Sequence, residues 1–441
     1  MIIEINSETL SKVHNPVFRE YAQVYMQIYA GFLAQISKAG LEIEDPLDAQ
    51  ESSSKIEYLR ARGATIRNDN KSIVVNQLSP SCEACRTGKD SATFFISLRC
   101  HRNCYYCFNP NQEDYGYYLD HKRDVVAELD EYYAHRIKLK HIALTGGEPL
   151  LQPDEVVRFY EKAKELYPKA YTRLYTSGDH LDVPMLLALQ AAGLQEIRLS
   201  IRMHDTEKAR EHTFSQLALA KHYIPHVMVE MPILPGTFDE MKAVLRRLEE
   251  IGIFSINLLE FCFPLNNPQE FRQRGFKIKA HPFRVLYNYW YAGGLPIAGS
   301  EQVCLDLVEF AIQENLRIGV HYCSLENKHT GQIYQQNADQ KIAKTAVFSN
   351  KDFFIKTAKV FGEDIAKVKS QLKKISGASY ELDNEHDYLA FHPRFVSSLK
   401  TLDVQIGISS IVMETRQDGN YLRELAIDLT TPQSFEYSQD I

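Results

Sequence analysis

Three cysteines, Cys100, Cys104 and Cys107, stand in the stretch RCHRNCYYCFNP with the spacing C-x3-C-x2-C. Neither helix nor strand formation asks for such crowding. Three thiolates on one loop can hold three irons of a 4Fe–4S cluster, leaving the fourth iron open to a chelating small molecule. Zinc is the competing use, and it wants a fourth ligand, which His101 or the pair Cys82 and Cys85 could supply. Five of the eight cysteines fall between residues 82 and 107. In a reducing compartment that clustering points to metal or redox work before disulfides.

A second stretch, LTGGEPLL at 144–151, places two glycines where a strand should end. Adjacent glycines let the backbone swing out, approach a ligand closely and present main-chain N–H and C=O groups to it. Glu148 and Pro149 then fix the turn.

Both motifs need a frame. Short β-branched or apolar runs recur at 93–98, 141–146, 172–177, 196–201, 226–231, 255–261 and 317–322, separated by segments of helical period such as 154–167 and 238–252. Alternating strand and helix predicts parallel strands with crossover connections, and the cysteine loop then sits at the C-terminal end of the first parallel strand, where such folds build sites. Before this region, 17–39 has the pattern of a docked amphipathic helix, 44–55 reads as a loop and 72–78 as a short strand. After it, a helical pair is expected over 353–376, then a hairpin around QDG. The expected organisation is a mainly helical N-terminal extension (1–90), the strand–helix region (91–335) and a small α+β domain (336–441).

Taken together, the cysteine loop and TGGEP resemble the radical S-adenosylmethionine (radical SAM) superfamily over roughly residues 92–262. The resemblance implies an α/β fold, a partial (β/α)6 TIM-like barrel. It implies that Cys100, Cys104 and Cys107 ligate a 4Fe–4S cluster and that SAM binds the open iron. Reductive cleavage of SAM would then give a 5′-deoxyadenosyl radical that abstracts hydrogen from a substrate. By the same resemblance Tyr106 packs near the adenine, and the Gly146–Gly147–Glu148–Pro149 turn holds the methionyl amino group. Thr176 and Ser177 (LYTSGD) and Ser200 and Arg202 (RLSIR) match positions that contact ribose or the SAM carboxylate. An arginine suits a carboxylate, whose two oxygens its planar fork can bind together; plain surface charge is the alternative for Arg198 and Arg202. The chain departs from the family in lacking a glycine-rich adenine motif after the fifth strand, where PILPG is a partial form. CEACRTGK ahead of the loop is similar to a branch related to pyruvate formate-lyase activating enzymes.

Cys82 and Cys85 form a C-x2-C pair that needs partners. With Cys323 or Cys304 as a distal ligand, Cys323 foremost, they could hold an auxiliary metal or iron–sulfur site; the alternative is that Cys262, Cys304 and Cys323 are buried small hydrophobes, the favoured reading for Cys262. Glu230 reads as a strand-face carboxylate tuned by burial or one solvated at the rim, Asn257 and Glu260 as ligand contacts or satisfied core groups, and His321, Tyr322, Lys328 and His329, at the expected barrel mouth, as substrate contacts or a solvated polar loop. The Tyr-rich stretch 113–124 is expected to cover the cysteine loop.

A net charge of −7 provides no general basic field, which makes nucleic acid an unfavoured partner. The N-terminus lacks the basic start and apolar run of a secretory signal, and no stretch approaches about eighteen uninterrupted apolar residues. A cytoplasmic enzyme is expected, with a reduced flavodoxin or ferredoxin-type electron donor and a peptide, protein or small-molecule substrate. A zinc-binding interaction protein using Cys82, Cys85, Cys100 and Cys104 is the alternative from another class.

Overall fold

The computed structural model describes residues 1–38, 40–46, 52–287 and 294–441; part of the loop expected at 44–55 lies outside them. By its contacts the chain forms two compact units, one of residues 39–282 with 289–331, the other of residues 1–38, 283–288 and 332–441. These cross the expected divisions at 90 and 335.

The first unit is built on β1 (Thr65–Arg67), β2 (Ser72–Val75), β3 (Ser91–Phe95), β4 (His141–Thr145), β5 (Tyr171–Thr176), β6 (Glu196–Leu199), β7 (His226–Ile233) and β8 (Ser255–Glu260). A two-residue pair follows, β9 (Cys262–Phe263) with β10 (Leu295–Pro296), and then β11 (Gly319–Cys323). Among the described residues the sheet order is β1-β2-β11-β8-β7-β6-β5-β4-β3. The six strands β3 to β8 are parallel, as the alternation of runs and helices predicts. β11 adds a seventh parallel strand on β8, and β2, antiparallel to β11, and β1, antiparallel to β2, complete that side. No pairing joins β1 to β3 among the described residues, so the architecture is a partial α/β barrel.

Period two sorts the strand side chains onto two faces. One face is apolar: Leu144, Leu174, Ile197, Leu199, Val229, Ile256, Leu258 and Val320 join one core with Phe159, Leu186, Leu217, Leu245 and Val308 from the helices. The other carries Arg173, Glu196, Arg198, Glu230, Asn257 and His321, directly paired in register as Arg173–Glu196, Glu230–Asn257 and Asn257–His321. Arg198 is 3% exposed, and a buried charge must be paired. Its Nε donates to Glu196 Oε1 at 2.7 Å, and Nη1 donates to Glu230 Oε2. Arg198 and Arg202, open to a reading as surface charges, are both buried.

The second unit carries helix Pro16–Lys38 against an antiparallel sheet of β12 (Ala346–Phe348), β13 (Ile355–Phe361), β14 (Tyr380–Asp383), β15 (Tyr388–Phe391), β16 (Ile406–Arg416) and β17 (Gly419–Thr430). Phe18 of the helix stacks on Phe361 at 4.6 Å. The hairpin around QDG is β16–β17. The helical pair expected over 353–376 is half wrong: residues 355–361 are the central strand β13, and only Asp364–Leu372 is helical. No helix among the described residues is long and apolar enough to cross a membrane.

Candidate active site

β3 ends at Phe95, and residues 96–108 run as loop and turns past Cys100, Cys104 and Cys107 before a short 3-10 turn at Asn109–Asn111. Cys100 is exposed, Cys104 and Cys107 are half-buried, and all three are free thiols. Burial pushes the Cys104 thiol up to about 11, with Arg202 opposing; Cys107 and Cys100 lie close enough for their charges to raise it further. A bound metal would hold such thiols deprotonated. Among the described residues no three His, Cys, Asp or Glu side chains are grouped to hold one metal ion. An iron–sulfur cluster makes no such demand, because it spreads its thiolates over separate irons.

The loop is gripped from several strands. Gly147 N donates to Ser97 O at 3.1 Å and Glu148 N to Arg99 O at 2.9 Å, so the glycine turn after β4 docks on the entry to the cysteine loop. A Cβ on Gly147 would lie 2.0 Å from Arg99 O, and Gly146 has φ +125°. Asn109 Nδ2 donates to Gly146 O at 2.8 Å. The Glu148 carboxylate turns to β5: it accepts from Thr176 Oγ1 at 2.7 Å, Ser177 N at 2.6 Å and Leu150 N at 3.1 Å. Helix Tyr115–Asp120, within the Tyr-rich stretch, meets the loop where Leu98 N donates to Tyr118 O at 2.9 Å.

Asp179, after β5, clamps the x3 segment. It accepts from His101 Nε2 at 2.7 Å and from Arg102 Nε and Nη2 at 2.7 and 2.6 Å. Burial alone would raise its carboxyl, but the Arg102 and His101 hydrogen bonds win and hold it well below the usual carboxylate range. A depressed folded-state pKa gives stability that is present above the unfolded value and lost as pH falls through the folded one. Asp179→Asn is therefore expected to lower stability by about 2 kcal/mol at pH 7, with the gap to the parent closing towards pH 3. Denaturant melts at the two pH values measure this, and an equal deficit at both would contradict it.

Arg202 offers an acceptor-seeking group. Its Nε donates to Asp205 Oδ2 at 3.1 Å, but Nη2 is buried without a hydrogen bond among the described residues. The same guanidinium acts on Cys100 and Cys104. Ser200 Oγ donates to Glu230 O at 2.9 Å. Tyr106 sits in an aromatic nest, edge-on to Tyr105 at 4.9 Å, His204 at 5.4 Å and Phe261 at 5.7 Å. A buried guanidinium nitrogen without a hydrogen bond, 4.0 Å from Asp179 Oδ2 and beside two of the three thiols, suits a carboxylate ligand reaching the same loop, so these residues fit a cluster with SAM.

The model of the radical SAM superfamily matches residues 94–272. The chain carries a radical SAM domain. A Methanocaldococcus jannaschii protein named as a glycyl-radical enzyme activating enzyme is 28% identical over 245 residues, covering 53% of this chain and 60% of that protein. The PqqA peptide cyclase of Gluconobacter oxydans is 36% identical over 114 residues, 24% of this chain and 28% of that protein. The chain thus spans less than two thirds of the length of these relatives. The structure of Streptococcus suis SuiB bound to S-adenosylmethionine aligns with a TM-score of 0.40 at 12% identity, over 54% of this chain and 50% of that one.

Cys82, Cys85 and Cys323 form a second set of thiols. Cys82, in helix Pro80–Ala84, is buried and accepts from Arg198 Nη2 at 3.3 Å, while Cys85 is exposed. Cys323, at the end of β11, accepts from Asn327 Nδ2 at 3.3 Å. Burial pushes its thiol up to about 12, and Cys85 and Cys82 are near enough to add to the rise. Cys304, open to a reading as a ligand, is fully buried in helix Ser300–Gln313, whereas Cys262, expected as a buried small hydrophobe, is half-buried. Glu260 proves a satisfied core group, accepting from Leu325 N at 2.7 Å and Lys279 Nζ at 3.2 Å. Sequence reasoning missed Asp179, Asn109 and the pair Asn266 and Asn267, whose side-chain amides donate to Cys107 O at 3.3 Å and Tyr105 O at 3.2 Å. NN in a loop was the available signal, but its partners lie far away in sequence.

Proposed function

We propose that the radical SAM domain cleaves SAM reductively and uses the resulting radical on a peptide or protein side chain. The observation that carries this is the docking of the Gly146–Gly147 turn onto Ser97 and Arg99, which fixes the cysteine loop at the C-terminal end of the parallel strands. A 4Fe–4S cluster on Cys100, Cys104 and Cys107 supplies, when bound, the electron that splits the SAM sulfonium bond. The chain's residues do the positioning. Arg202 Nη2 takes the SAM carboxylate, with Ser200 beside it. The glycine turn's carbonyls take the amino group, since two of its N–H groups are already engaged by the loop. Thr176 and Ser177 act through Glu148, to which both donate, and so hold that turn in place. The aromatic nest around Tyr106 offers an apolar wall to adenine and excludes water. The 36% identity to a PqqA peptide cyclase over 24% of the chain supports a peptide substrate, and a small flavodoxin or ferredoxin is the electron donor that fits this chemistry.

The proximity of Cys82, Cys85 and Cys323 supports an auxiliary iron–sulfur site. Both readings meet one experiment on anaerobically reconstituted protein. About four irons per chain are expected from the loop cluster alone and about eight with a second cubane. Reductant plus SAM should yield 5′-deoxyadenosine by mass spectrometry. A chain that takes up no iron, or yields no product with any reductant, contradicts the catalytic reading; four irons would retire a second cubane.

A further inference from the structure

On the polar face of the sheet, β7, β8 and β11 set Glu230, Asn257 and His321 side by side in direct register. Their mutual bonding is incomplete. Glu230 Oε2 accepts both from Arg198 Nη1 and from Asn257 Nδ2, the latter at 2.8 Å, while no described residue donates to Oε1. Asn257 Oδ1 is buried without a partner among the described residues. So is His321 Nδ1, whose Nε2 lies 2.8 Å from Ser72 Oγ. Asn257 is 4% exposed and His321 2%. Unpaired polar atoms so deeply buried are uncommon, and a bound group is one explanation for them. The Glu230 side chain retains 19% exposure, which leaves the row open at that end.

Chemistry decides what enters. Burial would raise the Glu230 carboxyl, yet Arg198 foremost and Asn257 next hold it below the ordinary range, so it is an anion. An ionised carboxylate oxygen beside an unpaired amide oxygen is a pair of acceptors, suited to a group with several N–H donors. Lys328 lies near enough to act on Glu230, but its ammonium makes no ion pair among the described residues. The Glu230 main chain is tied to Ser200, one of the residues assigned to SAM, through the Ser200 Oγ bond.

We propose that Glu230 Oε1 and Asn257 Oδ1, with His321 Nδ1 behind them, form a binding site for a primary ammonium group of the substrate. This rests on the proposed action on a peptide or protein side chain, but its test needs neither cluster nor SAM. A lysine side chain and a free amine share this chemistry.

The full chain without cluster is titrated with n-butylammonium chloride, and with butyrate and 1-butanol as controls, followed by ligand-detected NMR. Saturable binding of the ammonium, at least about tenfold tighter than either control, is expected. Glu230→Gln should weaken it at least about tenfold and Asn257→Ala about fivefold. Should Glu230→Gln fail to fold, with Arg198 left without its full countercharge, Asn257→Ala carries the test. Lys328→Met should bind the probe as well as the parent does, or more tightly. The proposal fails if the ammonium does not saturate, if 1-butanol binds equally well, or if neither variant changes affinity. It fails too if only Lys328→Met binds the probe, since Lys328 is then the occupant. N-acetyl-lysine amide matching n-butylammonium assigns a peptide side chain, and binding about tenfold weaker assigns a free amine. Failure here with 5′-deoxyadenosine still formed leaves the radical SAM reading intact.

Discussion

Cys104→Ala is expected to take up almost no iron under anaerobic reconstitution and to form 5′-deoxyadenosine only at background, while its circular dichroism matches the parent. The reasoning starts from what the thiol does without metal. Cys104 is half-buried in a loop, and its sulfur accepts no hydrogen bond among the described residues, so removing it takes little from the packing. Its backbone carbonyl, which does accept from Cys107 N at 3.0 Å, is retained by alanine. Loss of function without loss of fold is then the signature of a ligand. A cluster reduced to two protein thiolates on a partly exposed loop lacks the anchoring that three provide. Cys304→Ala is the control: that cysteine is fully buried in a helix, so its loss is expected to lower stability modestly while iron stays at the parent level. A Cys104→Ala protein with full iron and active SAM cleavage would show that the ligand trio is misassigned.

The sequence made the cysteine loop, the glycine turn and the parallel strands legible because each is a local pattern: a spacing, a dipeptide, or an apolar run of strand length. β13 escaped for a related reason. FFIKTAKVF interleaves lysines among apolar residues, which imitates a helix with a solvated face, yet Lys356 and Lys359 are buried. Lys356 pairs with Asp352 at 2.7 Å and Lys359 with Glu424, so charges that look solvated in sequence are neutralised inside. The polar face of the parallel sheet misled in the same way, since Arg198 was open to reading as surface charge until Glu196 and Glu230 were seen beside it. Asp179 and Asn267 were illegible because they act on the cysteine loop from 77 and 162 residues away. Short motifs announced which side chains do chemistry; the residues that hold those motifs still could be found only in three dimensions.

Gly147→Ala should be as damaging as loss of a cysteine, although it removes no functional group. Its φ is not the obstacle. Among the backbone torsions, Gly146 rather than Gly147 has the positive value that disfavours other residues. What forbids a side chain at 147 is the neighbouring main chain: a Cβ there would stand 2.0 Å from Arg99 O, 2.4 Å from Arg99 C and 2.6 Å from Leu98 C. None of these atoms belongs to a side chain that could rotate away, so the backbone at 98–99 must retreat. That retreat breaks the bonds from Gly147 N to Ser97 O and from Glu148 N to Arg99 O, and it displaces the residue immediately preceding Cys100. Forced overpacking with two lost hydrogen bonds is expected to lower stability by about 3–4 kcal/mol, and iron uptake should fall at least about tenfold with it. Gly116→Ala supplies the contrast, because it lies in helix Tyr115–Asp120 with nothing within 4 Å of a new Cβ. There alanine should be neutral or stabilising by up to about 1 kcal/mol. Matched melting temperatures and iron contents for Gly147→Ala and the parent would mean that the close approach of the two strand ends does not hold the cysteine loop in place.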